Sequence, residues 1–375
     1  MSDFQPFVME RMMSKFEQGV DYNLSESGVH PILLEELLAH RPGAIDDLMA
    51  TDLNYPWVNG SPALRENIAG FYEGVTPENV LVTVGAIEAN YIATTTLLSP
   101  GDEMVVMLPN YMQIWGVALN HATTVKSFHL REDRGWAPDL EELGSVVGPK
   151  TRVIAVCNPN NPTGRVMTLE EMDRIVAIAE GVGAWIIADE VYAGAERERE
   201  EVTPSFQSRY DKVVATGSMS KAYGMPGLRL GWAVAPEGIL DEMWARHEYI
   251  ALAATMLSNK LAEIALAPDV RPKILERTRN YIRRGFPVLE SWMAAHPGTF
   301  SFTAPDAAAI AFMRYSLNVN STQLVDRLRE EQSVLIVPGD HFGVDRCLRI
   351  SFGLPEDYLS AGLDRIHSLL TRLAA

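Results

Sequence analysis

The sequence predicts an α/β protein, a large unit on a mainly parallel sheet joined to a smaller α+β unit, and three observations carry this. Between about residue 64 and residue 235, short β-branched runs alternate with helical patterns, the signature of βα units. Several runs are apolar at successive positions, as strands covered by helices on both faces should be. From about residue 271 the rhythm changes to a long helical stretch followed by clustered strands.

In chain order the first strands are "NVLVTVG" (79–85), "EMVVMLP" (103–109), "VKSFHL" (125–130), "RVIAVCNP" (152–159), "AWIIADE" (184–190), "KVVATGS" (212–218) and "LGWAVAP" (230–236). The later set comprises "AAAIAFMRY" (307–315), a helix "STQLVDRLREEQ" (321–332), "VLIVPG" (334–339), "CLRISFG" (347–353) and a final helix. These predict a large unit at 46–270 and a smaller one formed by 1–45 together with 271–375. A length of 375 residues agrees with two domains at roughly 150 residues each. No Gly-, Ser- or Pro-rich linker separates the parts, and no internal repeat is present.

Hydrophobic residues make up 47% and charged residues 22%, ordinary globular usage. A net charge of −17 argues against a nucleic-acid partner, which would need clustered Lys and Arg. Cys157 and Cys347 form no CxxC pair, so neither a disulfide scaffold nor a zinc site is expected. The start, "MSDFQPFVMERMM", lacks a signal-peptide layout, and no apolar run reaches the ~20 residues of a membrane span. A cytoplasmic protein with no membrane partner is the expectation. Scattered histidines without HExxH, and the lack of a G-x-S-x-G elbow, point away from metal catalysis and from a serine hydrolase.

Ligand sites in open α/β sheets lie beyond the carboxyl ends of the strands. After "KVVATG" comes "SMSKAYGMPGLRLGW" (218–232), with Ser218, Ser220, Lys221 and Arg229 among closely spaced glycines. Hydroxyls and an arginine suit a phosphate, and a lysine beside them can form a Schiff base. Read alone, this is equally an ordinary loop. "AWIIADE" ends in Asp189, with Tyr192 close behind, and a buried Asp is rare unless paired. "VIAVCNPNNPTG" makes a sharp turn that can present the Asn161 amide to a ligand.

Together these residues resemble the aspartate-aminotransferase-like, class I/II family of pyridoxal 5′-phosphate enzymes, known as fold type I. The resemblance spans about 55–353, and its most specific element is S-x-S-K-x-x-G-x-x-G-x-R-x-G at 218–231. It implies that Lys221 carries the Schiff base and that Asp189 pairs with the pyridine nitrogen of the cofactor. Tyr192 and Asn161 should contact the ring 3-oxygen, with a cis bond before Pro162. The phosphate should meet Ala86 and Ile87 backbone N–H groups at a helix start, plus Ser218, Ser220 and Arg229. The family often has Ser or Thr where this chain has Ile87. Tyr111 falls where an aromatic ring stacks on the cofactor, and Tyr55 where a tyrosine reaches the phosphate of a partner subunit. A homodimer with shared sites is therefore expected. Arg349, on "CLRISFG", matches the arginine that grips the substrate α-carboxylate; without the resemblance it would read as an exposed strand residue.

The implied reaction is amino transfer between an L-amino acid and a 2-oxo acid; lyase, cyclase and oxidase chemistry use the same core. Some transcriptional regulators carry the fold behind a DNA-binding domain; with motifs starting this early and an acidic net charge, none is expected here. No second arginine for a distal carboxylate is marked, Arg246 and Arg284 being candidates without a motif. Before "AIAF" the family's usual glycines are replaced by Ala307 and Ala308, whose methyls either narrow the cleft or simply pack.

The loop "NLSESGVHP" (23–31) resembles loops of a subgroup handling arginine-derived amino acids, including capreomycidine-synthase-like cyclases. In the family at large this loop closes over the substrate and a backbone glycine approaches its carboxylate, a role that Gly28 fits. By the subgroup resemblance Glu26 would meet a cationic side chain and His30 would assist proton transfer. The plain alternative is that Ser25, Glu26 or Ser27 caps a helix beginning near Pro31.

Overall fold

The structure is a computed structural model that describes residues 4–374. An eight-stranded sheet runs in the order Val80–Thr83, Gly231–Val234, Val213–Ser218, Trp185–Asp189, Thr151–Cys157, Glu103–Leu108, Thr124–Arg131, Ala137–Pro138. The strands from Val213–Ser218 to Thr124–Arg131 are mutually parallel. Gly231–Val234 is antiparallel to both its neighbours. Its connection from Val213–Ser218 holds only the short turn Pro226–Leu228, and a parallel return needs a full crossover helix.

Alternate residues of these strands enter two different cores. Leu81, Met104, Val106, Val153, Ala155, Ile187 and Val214 pack with Ile92 and Met243 on one face. Val105, Met107, Ile154, Val156, Ile186, Ala188 and Val213 pack with Met172 and Ile175 on the other. Burial on both faces explains the continuous apolar runs. The helix Leu169–Val182 starts at a Thr168–Glu171 capping box and ends on Gly183 in the left-handed region.

The later strands form a four-stranded antiparallel sheet, Phe300–Phe302, Ile310–Tyr315, Cys347–Ser351 and Val337–Pro338 in spatial order. The N-terminal segment touches both parts. Tyr22–Asn23 pairs in parallel with Val334–Leu335, whereas Met9 and Met13 of the helix Val8–Phe16 join the core around Val105 and Phe128.

The helix expected near Pro31 begins at Leu34, and its N-cap Leu33 makes no side-chain cap bond. This overturns the capping alternative for the preceding loop. The Ser25 hydroxyl donates to Asn23 Oδ1 at 2.6 Å, and Ser27 accepts from Tyr192 at 2.8 Å. Among the described residues no helix is long and apolar enough to cross a membrane, and no cluster of His, Cys, Asp and Glu suits a metal ion.

Candidate active site

A cavity of about 270 Å³ opens at the carboxyl ends of the parallel strands. It gathers Lys221, Asp189, Tyr192, Asn161, Tyr111, Ala86, Ile87, Ser218, Ser220, Arg229, Arg349 and Glu26. A larger groove of about 770 Å³, beside Phe4–Met9 and the helix Gln113–Asn120, contains neither Lys221 nor Asp189.

Asp189 forms the floor. It is buried, and burial raises its pKa; the Asn90 amide, donating to Oδ2 at 2.9 Å, the Val191 N–H and the Lys221 charge act in the opposite sense. Asn90 is itself oriented. Its carbonyl accepts the Thr216 hydroxyl at 2.8 Å, which turns its NH₂ toward Asp189. Sequence reading missed Asn90 although it lies in "TVGAIEAN", one turn after Ala86 on the same helix face.

Beside the floor, the helix Ala86–Leu97 begins without a side-chain cap, and first-turn N–H groups have no partner within their own helix. Gly231 lets that helix start approach: a Cβ there would fall 2.3 Å from the Ala86 nitrogen. Arg229, held at φ +47, reaches Ser220 Oγ at 3.4 Å and Pro226 O at 2.9 Å, and packs over Gly85. A guanidinium at the positive end of a helix is repelled unless an anion lies between them, so the arrangement suits a phosphate.

Opposite stands Arg349, 1% exposed. Nη1 donates to Asn161 Oδ1 at 2.9 Å and Nη2 to the Ser25 carbonyl, while Nε is buried without a partner. No carboxylate pairs with it among the described residues, although an unpaired buried charge is costly. A ligand carboxylate would complete the set. The bonds at 158–159 and at 161–162, around the Asn161 turn, are cis.

Lys221 Nζ lies 3.8 Å from Glu26 Oε2. Tyr192 is buried and donates to Ser27 Oγ at 2.8 Å; burial raises its pKa, so the phenol keeps its proton. Tyr111 donates to Glu10 Oε1 at 2.8 Å. Glu10 and Glu17, with Met9 and Met13, also line the cavity, and sequence reading missed them. The Glu17 pKa is raised, first by burial and then by Glu26 and Glu10.

Three residues lie elsewhere. Gly28 backs onto the chain at Lys221, where a Cβ would be 3.0 Å from Ser220 O, and does not line the cavity. The His30 ring sits 5.7 Å from that of Tyr281, beside Arg277, and its pKa is lowered by burial first. It is outside the cavity because its backbone N–H is tied to Gly353 O at 2.7 Å. Tyr55 is 81% exposed. Neither Arg246 nor Arg284 lines the cavity, and Ala307 and Ala308 are buried, Ala308 packing against Ala86, Val191 and Tyr192.

The sequence profile of the family "Aminotransferase class I and II" matches residues 37–366. The chain belongs to that family. It is 32% identical to capreomycidine synthase of Streptomyces vinaceus, over 92% of this chain and 88% of that protein. It is 28% identical to the arginine–pyruvate transaminase of Pseudomonas aeruginosa, over 83% of this chain and 80% of that one. A crystal structure of a PLP-dependent aminotransferase from Streptococcus suis superposes with a TM-score of 0.92 at 32% identity, covering 99% of each chain. The fold is therefore fold type I and the cofactor pyridoxal 5′-phosphate. The donor set fits that group: an uncapped helix start beside Arg229, an acid on the floor and a lysine between them.

Proposed function

We propose that this enzyme transfers an amino group from an L-amino acid to a 2-oxo acid. The single observation that supports the reading best is that Lys221, the buried Asp189 and Arg349, which has no carboxylate partner among the described residues, line one cavity. Bound pyridoxal 5′-phosphate supplies an electron sink for the bonds at the substrate Cα. Asp189 would hold a positive charge at the ring nitrogen, and Ser218, Ser220, Arg229 and the backbone of Ala86 and Ile87 would hold the phosphate. Tyr111 would cover the cofactor ring, while the Asn161 amide, and Tyr192 once its hydroxyl turns from Ser27, would hydrogen-bond the ring 3-oxygen. Arg349 receives the substrate carboxylate in a forked pair, with Gly28 setting the loop height above Lys221. The Lys221 amine would act as the base that takes the substrate Cα proton and holds it within the cavity.

Glu10, Glu17 and Glu26 also line the cavity, and three carboxylates there favour a cationic, arginine-like side chain. This observation, together with the similarity to capreomycidine synthase, supports a second reading in which a lyase, cyclase or oxidase acts on such a substrate without an amino acceptor. His30 would serve that chemistry only after a movement of the loop. A screen of amino donors decides: amino transfer requires the 2-oxo acid and releases no ammonia. Turnover of arginine with no oxo acid present would replace the first reading by the second.

We also propose a cytoplasmic homodimer, with 46–270 as the cofactor-holding unit and 1–45 plus 271–375 as the smaller one. Tyr55, Trp57, Tyr249, Ile250, Leu252 and Leu257 are exposed on segments tied together by Val58–His247 and Ser61–Asn259 hydrogen bonds. An apolar surface of this kind suits a partner subunit. A monomer in sedimentation would overturn the dimer and the role of Tyr55 with it.

A further inference from the structure

Glu88 and His247 form a buried pair that the chemistry above does not use. Glu88 lies on the first turn of the helix Ala86–Leu97, and its Oε2 accepts the Val84 N–H at 2.5 Å. Its Oε1 meets His247 Nδ1 at 2.8 Å, and His247 Nε2 lies 3.1 Å from the Val58 carbonyl. His247 is fully buried and Glu88 is 6% exposed. A carbonyl oxygen only accepts, so Nε2 carries a hydrogen. Nδ1 and Glu88 therefore share one further proton, and every polar atom of the set is satisfied.

Sharing that proton leaves the pair without net charge, so it is compatible with a phosphate at this helix start and free for a positioning task. The contacts supply one. Glu88 clamps the N–H of Val84, immediately before the Gly85 turn that aims the Ala86 and Ile87 N–H groups. The same imidazole holds Val58, next to Asn59, whose carbonyl accepts the Val82 N–H at 3.1 Å. Residues 58–60 are thus the fixed base of the loop that displays Tyr55.

We propose that His247 is a positioning residue for the cofactor phosphate: through Glu88 it sets the phosphate-binding turn, and through Val58 it sets the base of the Tyr55 loop. The inference rests on the phosphate placement proposed above. It is tested by titrating apo-protein with pyridoxal 5′-phosphate and by recording the ³¹P shift of the bound phosphate. Glu88→Ala should weaken cofactor affinity roughly tenfold to a hundredfold and move the ³¹P signal, since it orphans two buried groups. Glu88→Gln should restore both readouts, because its amide accepts from Val84 and donates to a neutral Nδ1 while Nε2–H stays on Val58. If Glu88→Ala does not fold, His247→Gln, too narrow to span Glu88 and Val58 together, should show the same loss.

Wild-type affinity and an unmoved ³¹P signal in Glu88→Ala or His247→Gln overturn the proposal, even if those variants melt lower. Equal impairment in Glu88→Gln overturns it as well. Arg229→Ala separates the two ideas: full affinity in that variant removes the phosphate placement itself, whereas a loss there with none in Glu88→Ala removes only the role of His247.

Discussion

The floor of the cavity and its N-terminal wall are built on different terms. On the floor, Asp189, Asn90, Thr216 and Ser218 are at least nine-tenths buried, at or beside strand ends locked by ladder hydrogen bonds. On the wall, Glu26 has 45% of its side chain exposed and Glu10 and Glu17 sit on or just after a nine-residue helix. On the proposed reading, chemistry that needs fixed geometry falls to residues held by strand ladders, and charge that would sort substrates to a wall open to water. The two regions should therefore respond to substitution by very different amounts.

The largest response is expected at the floor. Lys221→Ala should reduce turnover roughly ten-thousandfold or more, with any 2-oxo acid, because on the proposed reading one side chain provides both the cofactor link and the proton transfer. Full activity in the variant, measured by oxo-acid release, would sink the assignment. Arg349→Lys comes next. It keeps the charge but loses the fork, and kcat/KM should fall about a hundredfold for every amino acid alike. A loss confined to one substrate would mean that Arg349 reads side chains and not the shared carboxylate.

The wall should respond weakly and selectively. Half-exposed ion pairs are worth about 1 kcal/mol, so Glu17→Gln or Glu26→Gln should raise KM about fivefold for a cationic amino acid and leave a neutral one unchanged. Equal effects on both would refute direct recognition. The raised pKa of Glu17 adds a pH signature. Its negative charge is present above that pKa and is lost on acidification sooner than that of an ordinary Glu. KM for the cationic substrate should climb as pH falls through that region, and Glu17→Gln should abolish this limb of the profile.

The same division decides what the sequence discloses. Lys221, Ser218, Ser220 and Arg229 lie within one short stretch after a strand, so local spacing reveals them. Arg349 becomes legible only through motif order, since an Arg between Leu348 and Ile350 says nothing by itself. Asn90 acquires its role from Thr216, 126 residues away, and His247 from Glu88 at a separation of 159. Glu10 and Glu17 read as the polar face of an N-terminal helix. Which way that face points is set by Met9 and Met13 docking on the large sheet, a tertiary fact without a sequence mark. The capping alternative for the 23–31 loop failed for a related reason: the hydroxyl of Ser27 found Tyr192 across the cleft before the chain reached a helix.

The smallest effect tests how tightly the floor is packed. Ala308 is fully buried with φ +66, in one small cluster with Ala86, Val191 and Tyr192. A left-handed alanine costs about 1–2 kcal/mol, which Ala308→Gly would relieve. Against that stand about 0.4–1 kcal/mol of extra unfolded-chain entropy and about 0.8 kcal/mol for the lost methyl burial. The terms nearly cancel, so the melting temperature of Ala308→Gly should stay within a few degrees of wild type. A destabilisation above about 2 kcal/mol would show that the methyl braces Tyr192. Ala308→Val, adding a branched carbon in the same left-handed, fully buried place, should destabilise by about 2 kcal/mol or more.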